Sequence, residues 1–159
     1  MSTPSEALPL SDPRATYRDP KRYAYLLVPF WVLSPILSIW LALSTGDAAW
    51  YWLVIVLTYI VFPILDFDVL IGRDTRNPPE SLVPMLEADR WYRYVIYATV
   101  PCHYLTLFAG AWTVGTQELS VLSYFALVWS CGLMNGFAVA TAHELGHKKT
   151  ALERWLSKI

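Results

Sequence analysis

The sequence predicts an all-α membrane protein whose four transmembrane helices pair into two hairpins. Hydrophobic residues make up 55% of the 159 residues and charged residues only 16%. The chain also contains 8 Trp and 10 Tyr, an aromatic content typical of membrane interfaces. The apolar residues fall into four runs of about 18–22 residues. Each run is long enough to cross a hydrocarbon core of about 30 Å.

The four runs alternate with polar segments along the chain. A polar, proline-rich tail precedes the first run, and a strongly charged loop separates the second run from the third. Pro29, Pro35 and Pro101 fall inside runs, where membrane helices tolerate proline. The predicted organisation is a tail at residues 1–22 and a membrane domain at 23–159, with spans at about 23–43, 48–65, 94–112 and 121–142 and a loop at 66–93.

The distribution of positive charge predicts the orientation. Lys and Arg occur in the tail, in the long loop and after the fourth run, whereas the turns at 44–47 and 113–120 contain none. By the positive-inside rule, both ends of this chain and the long loop are cytoplasmic. The net charge of −1 and the lack of a basic stripe argue against a nucleic-acid partner. Cys102 and Cys131 lie in apolar runs and are expected to be small buried hydrophobic residues.

The residues that indicate chemistry stand at the end of the fourth run. The segment His143–His147 reads H-E-L-G-H and fits H-E-x-x-H. Two histidines four residues apart share one helix face and can bind one metal ion or two close ions. Gly132, Gly136 and Ala140 fall on the same face and form a ladder of small residues that predicts the close approach of another helix. We therefore expect the histidines to face into a helix bundle.

Two alternatives to this interpretation stay open. In zinc metallopeptidases the glutamate of H-E-x-x-H acts as general base on the metal-bound water. An intramembrane zinc protease would need a third ligand, would hold one zinc ion and would lose activity in Glu144→Gln. A catalytically incomplete membrane scaffold would bind no stoichiometric metal. Glu144 itself has three possible roles: a metal ligand, an acceptor that orients a histidine N–H, which we favour, or an ion-pair partner of Lys148.

The longer string from Asn135 to Lys149 resembles the first histidine box of the membrane-bound alkane hydroxylases, the AlkB-type alkane 1-monooxygenases. Similarity to that family extends from about residue 20 to 159, and we interpret the chain as the N-terminal portion of a longer protein. The residues that carry the resemblance outside the box are Leu65-Asp66, Asn77-Pro78-Pro79-Glu80, Val83-Pro84, Arg93, Val100-Pro101, His103-Tyr104, Val114–Gln117 and Arg154-Trp155.

The resemblance implies a six-helix enzyme of the bacterial inner membrane that holds two iron ions through histidines from several boxes. Only His143 and His147 of those ligands would fall in this chain. The implied reaction is hydroxylation of the terminal carbon of a medium-chain alkane taken from the bilayer, with O2 and with electrons from rubredoxin and rubredoxin reductase. Desaturases share histidine-box chemistry, and product analysis separates the two reactions.

Three polar residues inside the spans are candidates to line a substrate pocket. The resemblance places Thr58 where this family is thought to gauge substrate length, although a membrane-helix threonine commonly bonds to its own i−4 carbonyl. His103 either lines the pocket, supports a metal ligand, or is a neutral histidine hydrogen-bonded to a neighbouring helix, which we favour. Asn135 has two interpretations: it lines the pocket, or it makes an interhelical hydrogen bond.

Overall fold

The computed structural model describes residues 17, 19, 22–65, 80–148 and 150–158. Every regular element among these residues is helical, which confirms the all-α class. Most of the predicted tail, residues 66–79 of the predicted loop, and with them Asp66 and Asn77-Pro78-Pro79, lie outside the described residues. The α-helices are α1 (Leu27–Val32), α2 (Ser34–Thr45), α3 (Leu53–Val56), α4 (Phe62–Leu65), α5 (Val83–Ala88), α6 (Arg90–Thr116), α7 (Val121–Gly146) and α8 (Ala151–Leu156).

The first predicted span is a helix bent by 50° between its two parts, α1 and α2. Pro35 stands in the first turn of α2 and has no N–H to donate. The N–H of Ile36 donates to the carbonyl of Leu33 at 2.9 Å, which leaves the carbonyl of Val32 without a helical partner. The hydroxyl of Thr106 on α6 donates to that carbonyl at 2.8 Å. A polar side chain from a neighbouring helix therefore satisfies the backbone that the bend exposes.

The second predicted span is helical throughout but irregular. It begins as a 3-10 segment (Ala48–Trp52), continues through α3, widens into a π segment (Leu57–Val61) and ends as α4. Serines on two other helices bond its first turn: Ser38 Oγ donates to the Trp50 carbonyl at 2.6 Å, and Ser130 Oγ to the Tyr51 carbonyl at 3.3 Å. Hydroxyl-to-carbonyl bonds thus join the first two spans to each other and to α7.

The two long helices extend beyond the apolar runs that predicted them, α6 at both ends and α7 at its C-terminal end, and a polar side chain caps the first turn of each. Asp89 accepts the backbone N–H of Trp91 at 2.8 Å at the start of α6. Ser120 accepts that of Ser123 at 3.2 Å at the start of α7. Each cap satisfies a backbone donor that the helix cannot pair itself. Counting apolar residues along the chain cannot detect such caps.

The start of the first helix lies beside the start of α6. Arg22 bonds the Asp89 carboxylate through its guanidinium, which lies 5.3 Å from the centre of the Trp91 ring. The indole N–H of Trp91 donates to the Arg22 carbonyl at 3.3 Å. The Trp91 backbone N–H and the Arg22 guanidinium together lower the pKa of Asp89. This contact places the first and third helices side by side with their N-termini at the same end of the bundle.

Among the described residues, one single helix, α7, is long and apolar enough to span a membrane. The bent pair Arg22–Val32 and Ser34–Thr45 is a second if its two parts form one span. The helical segment Ala48–Ile64 is apolar but shorter. The four-span arrangement therefore stays a prediction, supported by one span and by the helix order.

One face of α7 packs against the first hairpin. Leu127 and Cys131 form a buried cluster with Ile39, Ala42 and Tyr51. The ladder of small residues lies elsewhere: a Cβ added at Gly132 or Gly136 would meet no atom within 4 Å. The expectation that this ladder receives a neighbouring helix is therefore wrong for the described helices, because the larger apolar side chains of α7 make the contact.

The close approach of two helices occurs instead at Gly110 of α6. A Cβ added there would lie 2.6 Å from Sγ and 3.3 Å from Cβ of Cys131, which is buried. We expect Gly110→Ala to lower the free energy of unfolding by about 1–3 kcal/mol, because the two helices must separate or Cys131 must move. Gly132→Ala is the matched control, and helix propensity predicts that it is neutral or stabilising by up to about 1 kcal/mol.

Denaturant unfolding in detergent micelles, followed by circular dichroism, measures both variants. Equal unfolding midpoints for Gly110→Ala and Gly132→Ala would contradict the packing of α6 against α7.

Candidate metal centre

The two histidines of the H-E-x-x-H segment converge at the end of α7. The helix continues through His143, and His147 is its C-cap, with a backbone N–H bonded to the His143 carbonyl at 3.3 Å. The helical turn therefore places both rings on one side. Their Nε2 atoms are 3.1 Å apart, their ring centres are 4.5 Å apart and their planes are inclined by 82°.

This geometry fits a shared metal ion. Metal–imidazole bonds are about 2.0–2.1 Å long, so one ion can contact two Nε2 atoms that lie 3.1 Å apart. Imidazole nitrogen suits iron and zinc alike. No group of three or more His, Cys, Asp and Glu side chains is placed to hold a metal within the part of the chain that the structure describes. The pair thus supplies part of a coordination sphere that needs at least one further ligand.

The histidine face of α7 is exposed, and so are both imidazoles. The buried face of the helix carries Leu127, Met134 and Leu145 instead. The expectation that the histidines face into the bundle is wrong for the described helices. The physical reason is that bulky apolar side chains gain more by burial than glycine and alanine do.

Glu144 pairs with Lys148 on the helix surface. Its Oε1 lies 2.6 Å from the Lys148 ammonium, in the i, i+4 arrangement, and about half of the glutamate side chain is exposed. The hydrogen bond that the Lys148 ammonium donates to this carboxylate raises the pKa of Lys148. The structure thus displays the third of the three roles considered for Glu144. The role in orienting a histidine stays a prediction.

A buried carboxylate beyond the histidines ties the end of the chain to α6. Glu153 on α8 is fully buried. Its Oε1 accepts from Arg93 at 2.8 Å (Nε) and 2.7 Å (Nη2), and from the Tyr97 hydroxyl at 2.7 Å. Its Oε2 accepts from the backbone N–H of Thr150 at 3.3 Å, and Thr150 caps α8 in return. We call these four residues the Glu153 clasp.

The Glu153 clasp stabilises the ionised form of the Glu153 carboxyl group. Burial alone would raise the pKa of this carboxyl, but hydrogen bonds from Thr150, Tyr97 and Arg93 outweigh burial and lower its pKa to about 2. The carboxylate is therefore ionised at neutral pH. Sequence reasoning missed this residue, although the pattern Thr150-x-x-Glu153 is a capping box that the sequence displays. Nothing in the sequence indicated the contact with Arg93.

One cavity is lined both by clasp residues and by His147, the second histidine of the pair. It has a volume of about 610 Å³, and His147, Glu144 and Lys148 line it together with Arg93 and Glu153. Only Lys148, Lys149 and Thr150 separate the last histidine from α8. The clasp therefore fixes the direction in which the chain leaves the pair.

A second cavity lies between α6 and α7 and reaches the residue before the first histidine. It has a volume of about 340 Å³ and contains His103, Asn135 and Ala142 in its wall. The structure thus brings together two of the three residues predicted to line a pocket. The Asn135 side-chain amide also donates to the Cys131 carbonyl at 2.9 Å. Both residues are on α7, so this hydrogen bond is not interhelical.

Thr58, the third predicted pocket residue, is not in the wall of that cavity. It lies in the π segment and donates its hydroxyl to the Val54 carbonyl at 2.7 Å. This is the i−4 bond that membrane-helix threonines commonly make. The pocket roles of all three residues stay predictions.

The curated proteins to which this chain is similar include three alkane 1-monooxygenases. The alkane 1-monooxygenase of Pseudomonas putida is 47% identical over 148 residues, which is 93% of this chain and 36% of the relative. That of Ectopseudomonas oleovorans is 46% identical with the same coverage, and alkane 1-monooxygenase 1 of Alcanivorax borkumensis is 45% identical over 90% of this chain and 35% of the relative. The chain thus spans about a third of the length of these relatives. No protein-family model matches.

Proposed function

Because the chain belongs to the alkane 1-monooxygenase family, we propose that it forms part of a membrane-bound diiron enzyme that hydroxylates the terminal carbon of medium-chain alkanes. The observation that carries the proposal is the convergence of two imidazole nitrogens, 3.1 Å apart, in a chain with such relatives. This arrangement supports a metal-dependent reaction rather than a purely structural role.

His143 and His147 would hold iron through Nε2. When bound, iron supplies the activation of O2, so that one oxygen atom enters the terminal C–H bond and the other is reduced to water with two electrons and two protons. The remaining ligands would come from parts of a family-length protein outside this chain, which spans about a third of its relatives. The exposure of the histidine face of α7 supports this, because the face is free to receive further ligands.

The residues of this chain position the pair beside an apolar space. Helix α7 carries the histidines at its end, and Ala138, Val139 and Ala142 line the cavity that precedes them. Such a wall excludes water and accommodates an alkyl chain that enters from the bilayer. The Glu153 clasp holds the segment that follows α7, so the direction in which the chain continues after the histidine pair is fixed.

The proposed electron donors are rubredoxin and rubredoxin reductase, on the cytoplasmic side of a bacterial inner membrane. The contacts of Arg22 with Asp89 and of Arg93 with Glu153 gather the first helix, the start of α6 and α8 at one end of the bundle. The basic side chains of Arg22, Arg93 and Lys148 lie at this end, which supports a cytoplasmic histidine pair and cytoplasmic ends of this chain.

Product analysis tests the proposed function. The longest open reading frame that contains this chain is expressed with rubredoxin and its reductase in a bacterium that does not oxidise alkanes, and membranes are supplied with decane and 18O2. We expect decan-1-ol that carries one 18O atom. Decene would indicate a desaturase, and peptide cleavage with bound zinc would indicate a protease; either product, without the alcohol, would overturn the proposal.

A further inference from the structure

His103 lies in the wall of the 340 Å³ cavity, whose other polar lining residues are Tyr104, Asn135, Thr141, Ser157 and Lys158. Only 5% of the residue is exposed, and the wall around it includes Val100, Leu107 and Val139. Among the described residues, neither ring nitrogen makes a hydrogen bond of standard geometry. The backbone carbonyl of Met134 on α7 lies near enough to act as a weak acceptor.

Even with Met134, the imidazole remains half satisfied. A neutral imidazole has one N–H donor and one bare nitrogen that accepts. A carbonyl can accept only from the N–H, so in either tautomer the other nitrogen of His103 lacks a donor. A buried polar atom without a partner is costly, and a ligand that supplies the partner gains that energy. The missing group is therefore a hydrogen-bond donor, which an alkane cannot provide.

An adjoining cavity provides room for an alkyl chain. It has a volume of about 320 Å³, and its wall includes Gly110, Val114 and Leu127. Leu107 and Asn135 line both cavities, so the two spaces meet there. The first cavity lies nearer the histidine pair and contains the imidazole, whereas the second lies nearer the opposite end of α6 and α7.

We propose that the two cavities form a binding site for a medium-chain primary alcohol. The hydroxyl donates to the bare nitrogen of His103, and the alkyl tail lies along the glycine-lined second cavity. The identification of this alcohol as the reaction product rests on the proposed function. The site then retains the product by a hydrogen bond that the substrate cannot make, with its hydroxyl end toward the metal centre.

Nitrogen NMR of the histidine rings tests the site without any variant. The chain contains three histidines, so 15N-histidine labelling yields three ring systems. The protein is placed in lipid nanodiscs without iron, and decan-1-ol or decane is added. We expect decan-1-ol, and not decane, to shift the acceptor nitrogen of His103, while the rings of His143 and His147 stay unchanged.

A variant measures the contribution of the imidazole. We expect His103→Phe to weaken binding of decan-1-ol about tenfold and to leave decane binding unchanged. Binding is measured with radiolabelled ligands as the excess over empty nanodiscs. The proposal is overturned if decane shifts the His103 signals as decan-1-ol does, if the acceptor nitrogen is already hydrogen-bonded without ligand, or if His103→Phe binds the alcohol as well as the unaltered chain. These outcomes are independent of hydroxylase activity, since neither iron nor O2 is present.

Discussion

Replacing His143 or His147 with alanine is expected to lower alkane hydroxylation by the family-length protein more than about 100-fold. The basis is that residues which only support a metal ligand already cost about 10–100-fold when removed. The two Nε2 atoms lie 3.1 Å apart, so replacing either imidazole removes one of the two ligands that this chain would supply. Initial rates of decan-1-ol formation in membranes, at matched protein content, measure the effect.

Glu144→Gln is the matched control for the histidine variants. The carboxylate pairs with Lys148 on an exposed surface, and such pairs contribute little to stability. If iron is held by the histidines, this variant retains activity within a few-fold. A general base of a zinc protease would behave in the opposite way. Loss of activity in Glu144→Gln equal to that in His143→Ala would refute the assignment of ligands to the histidines alone.

Glu153→Gln is expected to lower the free energy of unfolding by about 2 kcal/mol. The fully buried carboxylate accepts bonds from Arg93, Tyr97 and Thr150, and an amide cannot accept them all. The same variant should weaken metal binding at the histidine pair, because α8 is no longer held to α6. Thermal unfolding in detergent and Co²⁺ titration measure the two effects. Glu144→Gln, the same chemical change in an exposed pair, should alter the unfolding temperature much less.

The clasp also predicts a pH dependence of stability. The pKa of Glu153 is about 2 in the folded chain, against 4.5 for a glutamate in water. A carboxyl whose pKa falls on folding stabilises the protein above its unfolded pKa and loses that contribution as the pH drops through the folded value. The difference in unfolding temperature between the unaltered chain and Glu153→Gln should therefore be constant above about pH 5 and shrink toward pH 2. A difference that does not change over this range would contradict an ionised clasp.

The helices were predictable because apolar residues are concentrated in long runs that only helices can use in a membrane. The irregularities within the helices could not be predicted in this way. The bend before Pro35 depends on the hydroxyl partner that the Val32 carbonyl finds on another helix, and no contact among the described residues explains the π segment around Thr58. Such partners are distant in sequence, as Thr106 is from Val32, so no local pattern indicates them.

In the candidate site, too, the sequence predicted the local features but not the contacts between helices. The i, i+4 spacing of His143 and His147 predicted their convergence, because it depends on one helix alone. The direction of the histidine face depended on which side of α7 packs, and the expectation from small residues was wrong. The partnership of Glu153 with Arg93 spans 60 residues and joins two helices, so only the folded chain displays it.

Metal analysis of the purified family-length protein tests the central claim most directly. The protein is prepared from iron-replete cells, and iron and zinc are quantified per polypeptide alongside X-ray absorption at the iron edge. We expect two iron ions with imidazole nitrogen ligands, and a clear loss of iron in the His143→Ala and His147→Ala variants that retain their helical content. One zinc ion per chain, or an iron content that neither variant changes, would contradict the assignment of this pair to the metal centre.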